Sequence, residues 1–184
     1  MLLFPITSED DRWAERVYTS YVLNVGRWYA NRFDKGGAPY VDHLLRVASR
    51  QTTWARKIIA LCHDCLEDIM SSEQDFIDSG MPISILSRIQ RLTRNYEALH
   101  WEGGNEGRPT QTYQEYIQQV AQDLVCLEIK LEDLEHNMEV HRLPTFGDAE
   151  ISLLKRYHRA YQYLKGQYHD ARLAYYTRLA ESPR

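Results

Sequence analysis

Hydrophobic residues recur every three or four positions along most of this 184-residue chain. That spacing puts apolar side chains on one face of an α-helix, and it predicts helices over residues 9–32, 41–52, 53–70, 72–79 and 83–96. Most of the glycine and proline lies in the breaks between helices: DKGGAP (34–39), SGMP (79–82), EGGNEGRP (102–109) and LPTFGD (143–148). We find no convincing β-strand alternation, so the sequence predicts an all-α protein.

Two longer apolar stripes follow. The first runs from Tyr116 to Met138, as one helix or as two with a bend at Gln122-Asp123. The second covers residues 148–183 with a heptad-like seam. We expect this C-terminal helix to pack on its own bundle, and a seam for a homo-oligomer is the alternative. Residues 1–184 are therefore predicted to form one helical-bundle domain.

Composition narrows the classes of function. The net charge of −4 argues against broad nucleic-acid binding, although a small anionic ligand remains compatible with it. No apolar run reaches the length of a membrane span, so we expect no membrane partner. Three cysteines, an odd number, without a secretory signal lead us to expect a reducing, cytoplasmic location.

The segment LCHDCLED is unusually polar for a predicted core helix. On one continuous helix, His63, Asp64, Glu67 and Asp68 would form a patch on one side, because residues four apart are one turn apart. The opposite side would be core: Ile58, Cys62, Cys65 and Ile69. Imidazole and carboxylate together suit a divalent cation, and a solvated helix face is the plain alternative.

Two further stretches supply candidates for the remaining ligands. GGAPYVDHLLRVA (36–48) leads from a turn into a helix that carries His43 in its first turns. IKLEDLEHNM (129–138) places Lys130, Asp133 and Asn137 on one helical face beside the apolar stripe. An aspartate flanked by a lysine and an amide is a plausible ligand with polar support.

The ordered motifs PYxxHxxxVA, LxHDxxED and IKLxDLxHN resemble those of the metal-dependent HD-domain phosphohydrolases. Within these, the chain is most similar to the small alarmone hydrolases, which remove pyrophosphate from the 3′ position of guanosine tetra- and pentaphosphate. The resemblance implies an HD-type helical bundle. It also implies a metal site, with Mn²⁺ expected and Fe²⁺, Zn²⁺ or Mg²⁺ as alternatives, held by His43, His63, Asp64 and Asp133.

The same resemblance implies roles for other residues. Glu67 and Asp68 would act on the attacking water and in acid–base transfer. The remaining matched positions would bind the substrate: Arg32 and Lys35 in a basic loop, Tyr40 in the pocket wall, and Lys130 and Asn137 on the third motif's helix. The chain departs from the family pattern at Asn31, Leu44 and Ile69, where His, Pro and Thr are usual.

Several other features have two readings. The CxxC of Cys62 and Cys65 is predicted to be core, as is Cys126, because a redox motif requires a helix N-terminus. His136 is predicted to have a structural role or to support the site. The row of Arg88, Arg91 and Arg94 is either a solvated face or a phosphate clamp with Lys130. The segment 102–110 is predicted to be a loop whose Arg108 meets the ligand.

We therefore expect a metal-dependent hydrolase of a phosphorylated nucleotide, most specifically a guanosine alarmone. The first rival is an HD phosphohydrolase for another nucleotide, such as a nucleoside monophosphate, an adenosine alarmone or NADPH. A nucleotide-binding module without turnover is the second rival. An interaction protein that pairs through its tail is the third.

Overall fold

The computed structural model describes residues 4–68, 73–94 and 111–181, and within these ranges the regular structure is helical. The one pairing of extended residues described there is an isolated bridge between Phe33 and Pro39. The helices are α1 (Ser8–Trp28), α2 (Tyr40–Ser49), α3 (Trp54–Leu61), α4 (Cys65–Asp68), α5 (Glu73–Asp78), α6 (Ile83–Leu92), α7 (Tyr113–Val120), α8 (Leu124–Asn137) and α9 (Asp148–Glu181). The predicted all-α helical bundle is confirmed.

Membrane insertion has no support in the described helices, since none of them is both long enough and apolar enough to cross a bilayer.

Short polar residues fix where several helices begin. Thr7 accepts the Asp10 amide while the Asp10 carboxylate accepts the Thr7 amide, a reciprocal cap at the start of α1. Thr112 and Glu115 form the same arrangement at α7. Thr53 caps α3 through the amide of Arg56. These contacts satisfy amides that have no partner inside the helix, so local sequence sets these boundaries.

Helix α3 lies at the centre of the bundle, packed against α1, α2, α6 and α8. It is apolar on most of its circumference, and Ile58, Ile59 and Leu61 have no solvent exposure. Burying an aliphatic side chain of this size contributes about 1.5–3 kcal/mol. The end of α3 is therefore a rigid platform, and the candidate site begins at its last turn.

The predicted continuous helix over 53–70 is wrong at one point. Helix α3 ends at Leu61, residues 62–64 form a turn, and α4 starts at Cys65. The Cys65 amide donates to the Cys62 carbonyl at 3.0 Å, three residues back instead of four. His63 and Asp64 therefore lie on a tightened turn rather than on a regular helical face. Ile69, predicted to be core, is outside the described residues.

The stripe from Tyr116 to Met138 forms two helices, because the chain bends at Asp123. The Asp123 carboxylate accepts the Cys126 amide at 3.0 Å and caps α8. It also accepts two hydrogen bonds from the guanidinium of Arg88, at 3.2 and 2.9 Å. Arg88 is only 6% exposed, so both readings of it, solvated face and phosphate clamp, are wrong. It stabilises the bend instead.

The first half of α9 packs on its own bundle, as expected. Leu164 is fully buried, Ala160 is 6% exposed, and Tyr157, Tyr161 and Tyr168 pack against the core. The Tyr161 hydroxyl donates to Glu135 on α8 at 2.6 Å. Pairing of α9 with a second copy of the chain stays a prediction.

The buried pair of Arg88 and Asp123 gives a test of what holds the bend. We expect Asp123→Ala to lower the free energy of unfolding by about 3–5 kcal/mol, because it leaves a buried guanidinium without its counter-charge. Asp123→Asn keeps a capping oxygen, so we expect it to cost about 1 kcal/mol less. Urea unfolding measures both variants. Arg16→Ala, at an exposed position on α1, is the control, and an equally small effect of all three would contradict this role.

Candidate metal centre

Four side chains from separate parts of the chain converge at one point. His43 comes from α2, His63 and Asp64 from the turn after α3, and Asp133 from α8. The Nε2 atom of His43 lies 3.1 Å from Asp133 Oδ1 and 3.8 Å from Asp64 Oδ2. The Nε2 atom of His63 lies 3.1 Å from Asp64 Oδ2 and 3.7 Å from Asp133 Oδ1. The structure thus brings together the four residues predicted as metal ligands.

This cluster has the properties of a divalent-cation site. Both Nε2 atoms, of His43 and His63, are buried and make no hydrogen bond, although carboxylate oxygens lie close by. Leaving buried polar atoms unpaired is costly unless another partner compensates. The donor atoms of His43, His63 and Asp64 lie within 4.8 Å of one another. Imidazole nitrogen with carboxylate oxygen fits Mn²⁺, Fe²⁺ or Zn²⁺ by ligand type.

The two imidazoles are oriented from behind by their Nδ1 atoms. The Nδ1 atom of His63 lies 2.7 Å from the carbonyl oxygen of Ala60, in the last turn of α3. The Nδ1 atom of His43 lies 2.7 Å from Nδ1 of His136 on α8. Second partners of this kind fix the ring orientation of metal-binding histidines. Each Nε2 is thereby aimed at the centre of the cluster.

The two aspartates are oriented by residues predicted to bind substrate. The Tyr40 hydroxyl donates to Asp64 Oδ2 at 2.7 Å. On α8, Lys130 Nζ lies 2.6 Å from Asp133 Oδ2, and the Asn137 amide donates to Asp133 Oδ1 at 2.6 Å. Lys130 and Asn137 stand three residues before and four after Asp133, so all three share a helix face. Their contacts support the ligands directly.

Electrostatics keep both aspartates ionised. Burial alone would raise the pKa of Asp133, but the Lys130 ammonium and the two imidazoles outweigh it and hold this pKa well below its ordinary value. Burial opposes the ionisation of Asp64 too, and the neighbouring His63 outweighs it and lowers the pKa of Asp64 to about 2. The cluster therefore presents anionic oxygens to a cation near neutral pH.

Glu67 and Asp68, on the short helix α4, have the opposite shift. Burial, reinforced by the negative charge of Asp64, raises the pKa of Glu67 to about 7 and that of Asp68 to about 6. Glu67 also accepts a hydrogen bond from the backbone amide of Arg94. Carboxyl groups whose pKa lies near neutrality are suited to general acid–base transfer.

Arg32 lies on the Asp68 side of the site. Its guanidinium is 4.0 Å from the Asp68 carboxylate, which also accepts a hydrogen bond from Tyr29 at 3.4 Å. Arg32 does not line the cavity described next, whereas Lys35, its predicted companion, does. The structure thus brings Lys35, Tyr40, Lys130 and Asn137 to the cavity and leaves Arg32 beside a candidate acid–base group.

A cavity of about 460 Å³ opens beside the metal centre. Its floor carries carboxylates of the cluster and Glu67. Its walls carry cationic, aromatic and apolar side chains, among them Lys35, Arg94, Lys130, Arg142, Arg156, Phe33, Tyr40, Tyr113, Tyr116, Tyr157, Leu143, Leu153 and Leu154, and two acidic ones, Asp34 and Glu150. Size and lining suit a molecule with anionic groups and an apolar part.

The wall formed by α7 and α9 was missed from the sequence. Arg156 lies over the Tyr113 ring at 5.0 Å, and both residues line the cavity together with Tyr157. The C-terminal helix is predicted to pack on its own bundle, and its residue Tyr157 both packs and faces the cavity. Arg94, the last residue of the arginine row, also lines the cavity. The heptad spacing of the C-terminal helix does not indicate which of its residues line a cavity formed with distant parts of the chain.

The loop that carries Lys35 is fixed to the end of α8. Asp34 Oδ1 accepts the amides of Gly36 and Ala38 at 2.8 and 2.9 Å, and its Oδ2 is 2.6 Å from the Arg142 guanidinium. A Cβ at Gly36 would lie 2.6 Å from the Arg142 carbonyl oxygen, so the backbones approach too closely for a side chain. These contacts of Asp34 and Gly36 hold the loop, and with it Lys35, at the cavity.

The remaining sequence candidates divide into two groups. Cys62, Cys65 and Cys126 are free and fully buried, so their predicted core role is confirmed. The predicted ligand contact of Arg108, with the rest of the segment 102–110, lies outside the described residues.

Comparison with known proteins bears on the fold of this chain. No family model and no curated protein matches the chain. A solved structure described as "A metazoan ortholog of SpoT hydrolyzes ppGpp and plays a role in starvation responses" is similar to it, with a TM-score of 0.63 at 17% identity. The likeness covers 89% of this chain and 90% of that one. This likeness confirms the HD-type helical fold and shows nothing beyond the fold.

The four clustered side chains meet only in the folded protein. We therefore expect a bound metal ion to raise the free energy of unfolding. We expect Mn²⁺ at about 100 times its dissociation constant to raise the free energy of unfolding by about 2.7 kcal/mol. For a chain of this size that is a melting-temperature increase of roughly 5–10 °C. Differential scanning fluorimetry of chelator-treated protein measures it.

His43→Ala should remove this increase, whereas His141→Ala, at a histidine whose side chain is 77% exposed, should retain it. An unchanged Mn²⁺ response in His43→Ala would remove His43 from the metal centre.

Proposed function

We propose that this protein is a metal-dependent phosphohydrolase of a phosphorylated nucleotide. The observation that carries the proposal is the convergence of His43, His63, Asp64 and Asp133, with two buried ring nitrogens left without hydrogen bonds. The adjoining carboxyls and the cavity provide the acid–base groups and the space that hydrolysis requires. Mn²⁺ is the proposed metal, with Fe²⁺, Zn²⁺ or Mg²⁺ as alternatives, and the cytoplasm the proposed location.

The proposed reaction is removal of the 3′-pyrophosphate from guanosine tetra- or pentaphosphate, which leaves GDP or GTP. The similar solved structure, described as hydrolysing ppGpp, supports this choice at the level of the fold. The cations on the cavity walls support it by charge, because Lys35, Arg94 and Arg156 can hold phosphate oxygens through charge-assisted hydrogen bonds.

The side chains have separate roles in the proposed reaction. When bound, a divalent cation acidifies water and polarises a phosphoryl oxygen. Glu67, at the cavity floor, receives a proton from the attacking water, because its raised pKa makes the carboxylate a stronger base. At a pKa of about 7 it can then give that proton to the ribose 3′ oxygen, whose bond to phosphorus breaks. Asp68 is the proposed second acid–base group, with Arg32 beside it. Lys130, Asn137 and Tyr40 keep the aspartates oriented and border the substrate.

A second candidate is hydrolysis of another nucleotide by the same centre. Phe33, Leu143, Leu153 and Leu154 give the cavity an apolar side. Apolar and stacking contacts accept any base, since every base has a π-face. This wall therefore favours a wider choice that includes an adenosine alarmone, NADPH or a nucleoside monophosphate.

A panel assay separates the candidates. Metal-free protein is loaded with Mn²⁺ and incubated with guanosine tetraphosphate, an adenosine analogue, NADPH and nucleoside monophosphates, and products are identified by mass spectrometry. Pyrophosphate from the guanosine compound alone supports the first candidate. Phosphate or pyrophosphate from another compound supports the second. Nucleotide binding without any product would leave a binding module and overturn the hydrolase proposal.

A single substitution tests the role of Glu67. Glu67→Gln preserves the side-chain shape and removes the proton acceptor, so we expect kcat to fall about 10²- to 10⁴-fold. Mn²⁺ binding, measured by calorimetry, should stay within a few fold of the parent protein. Glu15→Gln, on the exposed face of α1, is the control. Full activity of Glu67→Gln would exclude Glu67 from proton transfer.

A further inference from the structure

Behind the metal centre lies a third buried imidazole, which none of the proposed catalytic steps uses. His136 on α8 is 9% exposed and meets His43 edge to edge, with ring centroids 4.9 Å apart and an angle of 21° between the ring planes. Their Nδ1 atoms are 2.7 Å apart, a hydrogen-bond distance. Two protonated Nδ1 atoms cannot approach so closely, nor can two bare lone pairs favourably, so one proton lies between them.

The direction of this hydrogen bond follows from Nε2, the second ring nitrogen of His43, which lies on the opposite edge of the ring. The Nε2 atom of His43 points into the cluster without a hydrogen bond, and a nitrogen that binds a cation must present a lone pair. A neutral imidazole carries one proton, so that of His43 is then on Nδ1. His136 must accept it at Nδ1 and carry its own proton on Nε2.

His63 provides an internal comparison. Its Nδ1 faces the Ala60 carbonyl oxygen at 2.7 Å, and a carbonyl only accepts, so the His63 proton is on Nδ1. Both candidate ligands thus take the same tautomer. For His63 the acceptor is backbone, which every substitution retains. For His43 it is a side chain, which a substitution can remove.

The surroundings of His136 hold this acceptor in place. Its backbone carbonyl accepts the Arg142 guanidinium at 2.7 Å, and Arg142 also binds Asp34. His136 stands three residues after Asp133 on α8. One helix therefore supplies a ligand and the support for a ligand of another helix.

We propose that His136 is a positioning residue of the metal centre, which accepts the Nδ1 proton of His43 and thereby fixes the tautomer and ring orientation that leave Nε2 free for a cation. The inference rests on the metal site of the proposed function but not on the identity of the substrate. Acceptors of this type also make the ligand nitrogen more basic, and their loss typically costs 10- to 100-fold in metal affinity.

The test is Mn²⁺ titration of the metal-free full-length protein by calorimetry. We expect His136→Leu, which fills space without accepting a proton, to bind Mn²⁺ about 10- to 100-fold more weakly. His136→Asn, whose Oδ1 takes the place of Nδ1, should recover most of this loss. His141→Leu, at an exposed position, is the matched control. Unchanged affinity in His136→Leu, or equal losses in Leu and Asn variants of equal thermal stability, would overturn the proposal.

A second measurement needs no substitution. In a long-range ¹H–¹⁵N spectrum of the Zn²⁺-loaded protein, His136 should show a protonated Nε2 and an unprotonated Nδ1, and the opposite pattern would overturn the proposal. If the parent protein binds no metal, this inference and the proposed function both fail. If metal binding follows the expected order of variants while the nucleotide panel yields no product, only the proposed function fails.

Discussion

The rest of this structure depends on one constraint, which is that the carboxylates of the buried Asp133 and the partly buried Asp64 need compensating charges and hydrogen bonds. An aspartate as buried as Asp133, at 1% exposure, is strongly unfavourable unless charges and hydrogen bonds replace water. Lys130 and Asn137 compensate it from the same helix, and the imidazoles of His43 and His63 face it from across the bundle. This leaves two ring nitrogens and two oxygens directed at one point, an arrangement that suits a divalent cation by its ligand types.

Two breaks between helices allow these four side chains to meet. The turn at residues 62–64 lets His63 bond back to the end of α3 while Asp64 meets Tyr40. The bend at Asp123, held by the buried Arg88, begins α8 where it can pack beside α2, α3 and α6. At both points the chain changes direction instead of continuing as one helix, and this change sets where His63, Asp64 and Asp133 lie. The site is thus a product of where the helices stop.

The cavity joins parts of the chain that are remote in sequence. Lys35 comes from the loop before α2, Arg94 from the end of α6, and Arg156 from α9. Arg142, in the turn after α8, contacts both Asp34 and the His136 carbonyl and so ties the loop to the end of α8, and the His136 side chain joins that helix to His43. His136 therefore links a support of the candidate metal centre to a support of the cavity wall.

The sequence by itself determined the all-α class and most helix starts, and its resemblance to a known family indicated the residues that meet at the centre. The class and the starts follow from local physics: a 3.6-residue period and threonine and aspartate caps, and the i,i+3 and i,i+4 spacing places Lys130 and Asn137 beside Asp133. Tertiary structure alone decided that Arg88 is a buried support, that Arg32 lies off the cavity and that Arg156 lies on it. Those outcomes depend on which helix faces pack together, and that is fixed by interactions between residues far apart in the chain, which no local pattern encodes.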